Sequence, residues 1–140
     1  MWAAARNHGR LSILDFGGSL GSSYFQNQKF LVGLPDVRWS VVEQAHFVEA
    51  GWQHIQDDRL VFYSTLAECV TAEKPNVVLL SSVIEYLERF EDIFQELVDL
   101  KCPVFIIDRS PFCFSEDEII YIQKVRSEIF KASMPLRVIN

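Results

Sequence analysis

Short apolar runs alternate with stretches of helical periodicity along this chain. Leu11 to Phe16, Trp39 to Glu43, Leu60 to Tyr63, Asn76 to Ser81 and Pro103 to Asp108 are mostly rich in Val, Ile, Leu or Phe and too short for helices, so each predicts a strand buried on both faces. Between the first two, Ser22 to Leu31 starts small and polar and stops at Gly33 and Pro35, which predicts a helix. Gln44 to Ala50 predicts a second helix, with Gly51 as its C-terminal cap. Thr65, with Glu68 three residues on, forms a capping box opening a third helix that ends before Pro75. Phe90, Ile93, Phe94, Leu97 and Val98 trace one apolar stripe on a fourth. Beyond Asp108 the pattern weakens to an edge strand at Ile119 to Val125 and a helical turn at Glu128 to Ser133.

Strands alternating with helices predict a doubly wound α/β fold, a mostly parallel sheet with helices on both faces. Right-handed crossovers give the strand order 3-2-1-4-5, with the switch point between strands 1 and 4. Ligands of such sheets bind beyond the carboxyl ends of the strands, so the segments after Phe16, Val42, Tyr63, Leu80 and Ile107 are where chemistry is expected.

The 140 residues, 49% of them hydrophobic, support one core, and residues 1–140 read as a single domain. A net charge of -6 has the wrong sign for binding phosphate backbones, which disfavours nucleic acid as a partner. No apolar stretch approaches a bilayer span and no secretion signal opens the chain. Cys69, Cys102 and Cys113 are an odd set without metal-knuckle spacing, so neither a disulfide framework nor a metal site is expected, and a cytoplasmic location fits best.

Strand 1 runs through Asp15-Phe16-Gly17-Gly18-Ser19-Leu20-Gly21 into a helix, setting bare backbone amides and a helix N-terminus at the switch point. Tight-turn glycines alone explain part of this, but three in five residues at a switch point favour ligand binding, with a side chain at Gly17 expected to occupy ligand space. A dinucleotide G-x-G-x-x-G is missing, because Ser19 and Ser22 stand where it needs glycine, which disfavours an NAD-dependent oxidoreductase. The pattern D-x-G-x-x-x-G instead resembles motif I of Rossmann-like S-adenosylmethionine (SAM)-dependent methyltransferases. Val41-Val42-Glu43, Leu80 to Leu87 and Asp108-Arg109-Ser110-Pro111-Phe112 fall in register with later motifs, and the set is similar to a family of bacterial and archaeal methyltransferases of unassigned substrate.

That resemblance implies SAM as cofactor, held by Asp15, Gly17, Gly18, Ser19, Gly21, Glu43, Gln44, Ser64, Ser81 and Ser82, with Glu43 accepting from the ribose hydroxyls. It also implies methyl transfer to a small-molecule or glycan-like acceptor. Two departures stand out. Ser64 and its neighbours follow strand 3 where many members carry an acid for adenine, and the residues after Asp108 barely accommodate the usual closing hairpin, so a non-catalytic SAM-binding scaffold is the first rival.

A hydroxyl acceptor calls for a base, and His46, Glu85 and Asp108 are the candidates at strand ends. Each has a plainer reading: His46 as a surface histidine, Glu85 as a helix-face carboxylate, Asp108 as an ion pair with Arg109. Tyr24, Phe25 and Tyr86 wall a pocket or fill core, and Trp2, Trp39 and Trp52 read as packing. An unpaired sheet edge at strand 5 favours a homodimer.

Overall fold

The computed structural model describes residues 2–114, 119–129 and 131–139. A short helix α1 (Trp2–Ala5) precedes β1 (Arg10–Phe16), α2 (Ser22–Leu31), β2 (Asp36–Val42) and α3 (Ala45–His54). There follow β3 (Leu60–Tyr63), α4 (Leu66–Ala72), β4 (Val77–Ser81), a 3-10 turn (Ile84–Tyr86), α5 (Phe90–Asp99) and β5 (Phe105–Asp108). The five strands form one parallel sheet in the order β3-β2-β1-β4-β5.

Successive strand residues face opposite sides, and each side has its own core. On one, Leu11, Ile13, Trp39, Val41, Val77 and Leu79 pack with Tyr24 and Leu31 of α2 and Val48 of α3. On the other, Leu14, Val42, Val78 and Leu80 pack with Leu66 and Cys69 of α4 and Leu97 of α5. Asn76 stitches β4 to β1 before the ladder begins: its Oδ1 accepts from the Ser12 amide at 2.9 Å and its Nδ2 donates to the Arg10 carbonyl at 3.0 Å. That is a side-chain copy of a strand pairing, which is why Asn76 reads as strand in sequence yet stands outside β4.

The capping box is present in full. The Glu68 amide donates to Thr65 Oγ1 at 3.1 Å and the Thr65 amide to a Glu68 carboxylate oxygen at 3.2 Å. Thr65→Ala is therefore expected to lower unfolding free energy by about 1 kcal/mol in urea titration, and an unchanged midpoint would mean that α4 is held by packing alone.

Several expectations are corrected. α3 runs through Gly51 to His54, and Gly51 is a helix-interior glycine because a Cβ there would meet the Phe62 ring at 2.6 Å. Val98 lies off the buried stripe of α5 and stays exposed. Trp39 is core, whereas Trp2 and Trp52 are more than half exposed; Trp52 reaches back to donate to the Phe62 carbonyl at 3.0 Å.

The C-terminal segment holds two strands rather than an edge strand and a helical turn. β6 (Ile119–Lys124) pairs antiparallel with β7 (Ser133–Val138) in a separate two-stranded sheet instead of extending the main one. Only residues 127–129 form a turn, residue 130 of the expected helical turn lies outside the described residues, and Ser133 already opens β7. The closing hairpin is thus accommodated after all. It is tied back where the Cys113 backbone amide donates to the Ile139 carbonyl at 2.8 Å and Tyr86 Oη donates to the Gln123 side-chain oxygen at 3.1 Å.

Among the described residues no helix is long and apolar enough to cross a membrane, and no cluster of His, Cys, Asp and Glu is arranged to hold a metal ion.

Candidate functional site

Register brings the predicted segments to one rim. Phe16 pairs with Val42 on one side and Leu80 on the other, Val42 pairs with Tyr63, and Leu80 with Ile107. The residues that follow these strand ends therefore share the carboxyl edge of the sheet, with the turn after β1 at its centre.

That turn is backbone-strained by design of its sequence. Gly17 has φ +70°, Ser19 +52° and Gly21 +79°, and the Gly21 amide closes onto the Gly18 carbonyl at 3.0 Å. Positive φ favours glycine, and Ser19 occupies it at a cost of order 1 kcal/mol or more. Close approach is the second reason for the glycines. A Cβ on Gly17 would lie 2.3 Å from Val83 Cγ2, one on Gly18 2.6 Å from Asp15 Cγ, and one on Gly21 2.9 Å from Leu60 Cδ2. A side chain at Gly17 thus meets the β4 loop rather than ligand space, a correction to the sequence expectation.

Asp15 lies fully buried beneath this turn. Trp39 Nε1 donates to its Oδ2 at 2.8 Å, and among the described residues its Oδ1 has no hydrogen-bond partner. Burial pushes the Asp15 carboxyl up from 3.8 to about 6; the Trp39 bond and the Arg109 charge pull it back, and the Glu43 charge adds to the rise.

The other predicted cofactor residues spread along the rim. Glu43 follows β2, half-buried, its amide donating to the Tyr63 carbonyl at 3.1 Å. Gln44 is the exposed N-cap of α3 without a side-chain capping bond, and Ser64 is exposed after β3. Ser81 ends β4; Ser82, at φ +55°, donates its backbone amide to the Asp108 carbonyl at 2.9 Å, locking the β4 loop to the β5 loop.

The three candidate bases differ sharply in surroundings. His46 is exposed on α3 with its ring 4.3 Å from Phe47. Glu85 is buried, and its two oxygens accept from Ser82 Oγ and Ser110 Oγ, each at 3.0 Å. Asp108 is exposed, accepts from Ser81 Oγ at 3.2 Å and pairs with Arg109 Nε at 3.5 Å. Arg109 in turn donates from Nε and Nη2 to Ser81 Oγ at 3.1 and 2.8 Å.

Sequence reading missed Ser110 as the second partner of Glu85 and Val83 as the neighbour of Gly17. Each pair is joined only by folding, and no spacing rule links them. Of the aromatic candidates, Tyr24 is core, edge-on to Trp39 at 5.7 Å, while Phe25 and Tyr86 are exposed. Burial pushes the Cys69 thiol up to about 12 and raises that of Cys102, so neither is a ready nucleophile.

A parallel sheet in this order, flanked by helices and with a glycine turn at its switch point, defines a Rossmann-like α/β fold. A solved structure described as the DhpI-SAM-HEP complex shares it, with a TM-score of 0.53 and 14% identity, covering 98% of this chain and 68% of that one. At that identity the likeness shows the fold. No family model matches the sequence, and neither does any curated protein.

Proposed function

We propose that residues 1–140 form one SAM-binding domain that transfers a methyl group to an acceptor at the carboxyl rim of the sheet. The observation that carries this reading is the unpartnered Oδ1 of Asp15, buried under the glycine turn with Glu43 near enough to disfavour its ionisation. A cation held over that turn offsets the cost of charging Asp15, whereas the diphosphate of a dinucleotide adds to it. SAM carries an ammonium, a sulfonium and one carboxylate and so is a net cation, whereas NAD places a diphosphate at such a turn. The fold shared with the DhpI-SAM-HEP complex adds support of a coarser kind.

When bound, SAM supplies a methyl group on a sulfonium that leaves by in-line displacement, so the protein's task is alignment and exclusion of water. Gly18 and Ser19 would offer backbone amides while Gly17 and Gly21, whose own amides are held by the Val42 and Gly18 carbonyls, shape the turn; Glu43 would accept from ribose hydroxyls, and Gln44 and Ser64 would border the adenine side. Ser81 and Ser82 shape the β4 loop beside the methyl. Asp108, exposed at the end of β5, receives the proton of a hydroxyl acceptor. Glu85 serves a different end, because both oxygens already hold loop serines, and His46 stands on the outer helix face.

Calorimetric titration with SAM, S-adenosylhomocysteine and NAD tests the reading directly. SAM is expected to bind, and at 100 times its Kd to add about 2.7 kcal/mol to unfolding free energy. Glu43→Ala is expected to weaken it roughly ten- to hundredfold through loss of a charged acceptor. Binding of NAD without SAM overturns the proposal, and equal SAM affinity in Glu43→Ala removes Glu43 from the site. Transfer of a labelled methyl group to cell-extract components separates an enzyme from a SAM-binding scaffold.

A further inference from the structure

An open cleft of about 560 Å³ runs along the sheet face beside α1 and α2, within the range of small-ligand sites. Its floor is apolar, with Leu79, Val104 and Ile106 among its residues, and Trp2 of α1 and Phe30 of α2 wall it. Its polar end is at the carboxyl rim, where Ser81, Asp108 and Arg109 converge. Ser23, Gln26 and Asn27 of α2 add polar groups to one wall, so the slot is apolar on its floor, partly polar along α2 and charged at the end that meets the proposed methyl-transfer site.

We propose that this cleft is the acceptor site and that the acceptor has an aromatic or branched aliphatic body ending in a carboxylate that Arg109 receives. The inference rests on the SAM reading for the word acceptor, and on the cleft alone for the ligand class. The apolar floor suits an aromatic or aliphatic body better than the many hydroxyls of a glycan, which would meet polar groups only along the α2 wall and at the rim. A guanidinium suits a carboxylate because its N–H fork matches two oxygens. Ser81 fixes the Arg109 group through Nε and Nη2, and Asp108 lies against Nε; among the described residues Nη1 takes no hydrogen bond. Nη1 and the second N–H of Nη2 form the end-on fork offered to the ligand.

Titration with 1-naphthoate, followed by calorimetry and by tryptophan fluorescence, tests this, since Trp2 and Trp39 line the cleft. Wild-type protein is expected to bind naphthoate saturably and 1-naphthylmethanol more weakly. Arg109→Gln is expected to weaken naphthoate about tenfold or more while leaving the alcohol unchanged. Ile106→Trp, which fills the cleft from a half-exposed position, is expected to abolish binding of both and to leave SAM affinity intact; Phe30→Ala, a milder change at an exposed wall, weakens both without threatening the fold. Naphthoate binding that survives Ile106→Trp overturns the site, as does a concentration-dependent dimer that leaves wild type unable to bind naphthoate. Equal loss of both probes in Arg109→Gln overturns the carboxylate end. Failure of SAM binding with naphthoate binding intact overturns the proposed function and leaves the cleft standing.

Discussion

Gly17→Val is expected to destabilise the fold by about 2–5 kcal/mol in urea unfolding, the sum of a side chain forced to positive φ and an overpacked contact. The first part follows from φ +70° at Gly17 and the second from the 2.3 Å approach of its missing Cβ to Val83. The two separate in a double-mutant cycle. Val83→Ala in the Gly17→Val background is expected to recover the steric part and leave the backbone part. A Gly17→Val protein with the wild-type midpoint would show that the turn moves away from β4 freely. Loss of SAM binding in Gly17→Val is therefore poor evidence for a ligand, since the β1 and β4 loops no longer meet as they do in the native rim.

Asp15→Asn is expected to raise stability at pH 7.5 by up to about 3 kcal/mol, the free-energy equivalent of a carboxyl moved from 3.8 to about 6. The direction follows from proton counting. Between pH 3.8 and about 6 the folded protein keeps a proton on Asp15 that the unfolded chain has lost, so stability falls as pH rises through that window and then levels off. The amide carries no ionisation cost and still accepts from Trp39, so the Asn variant loses this slope; its unpaired NH2 group takes back part of the gain. Urea unfolding of both proteins at pH 4 and pH 7.5 reads the difference. A stability gap independent of pH would show that Asp15 ionises in the fold as readily as in water. SAM affinity carries the opposite sign: a cationic ligand favours ionised Asp15, so wild type is expected to bind more tightly as pH rises through 6, and Asp15→Asn to bind with little pH dependence.

The α/β order was legible because its signals are local. Apolar runs of strand length and the Thr65–Glu68 box depend only on neighbours a few residues apart; the box stands as read and each run holds a strand, although β2 begins at Asp36 rather than Trp39 and stops before Glu43, and β5 begins at Phe105 rather than Pro103. The strand order followed from the handedness of crossovers, which holds across such sheets. Gly51 misled because a glycine at a helix end and a glycine against a facing ring look alike in sequence; Phe62, on the next strand, distinguishes them. β7 escaped because Met134-Pro135-Leu136-Arg137 has weak strand character of its own and is recruited by pairing with β6.

At the site the division is sharper. Sequence alone determined that an acid and three glycines sit where β1 meets α2, that Glu43 comes at the end of the second strand run, and that Ser81 and Asp108 end the adjacent β4 and β5, because strand periodicity and crossover chirality are properties of the chain itself. Only the tertiary structure decided that Val83, Asp15 and Leu60 are what the glycines make room for, that Ser82 and Ser110 occupy Glu85, and that an apolar cleft ends at Arg109. Those facts join residues tens of positions apart, and distance along the chain sets no distance in space until the sheet has formed.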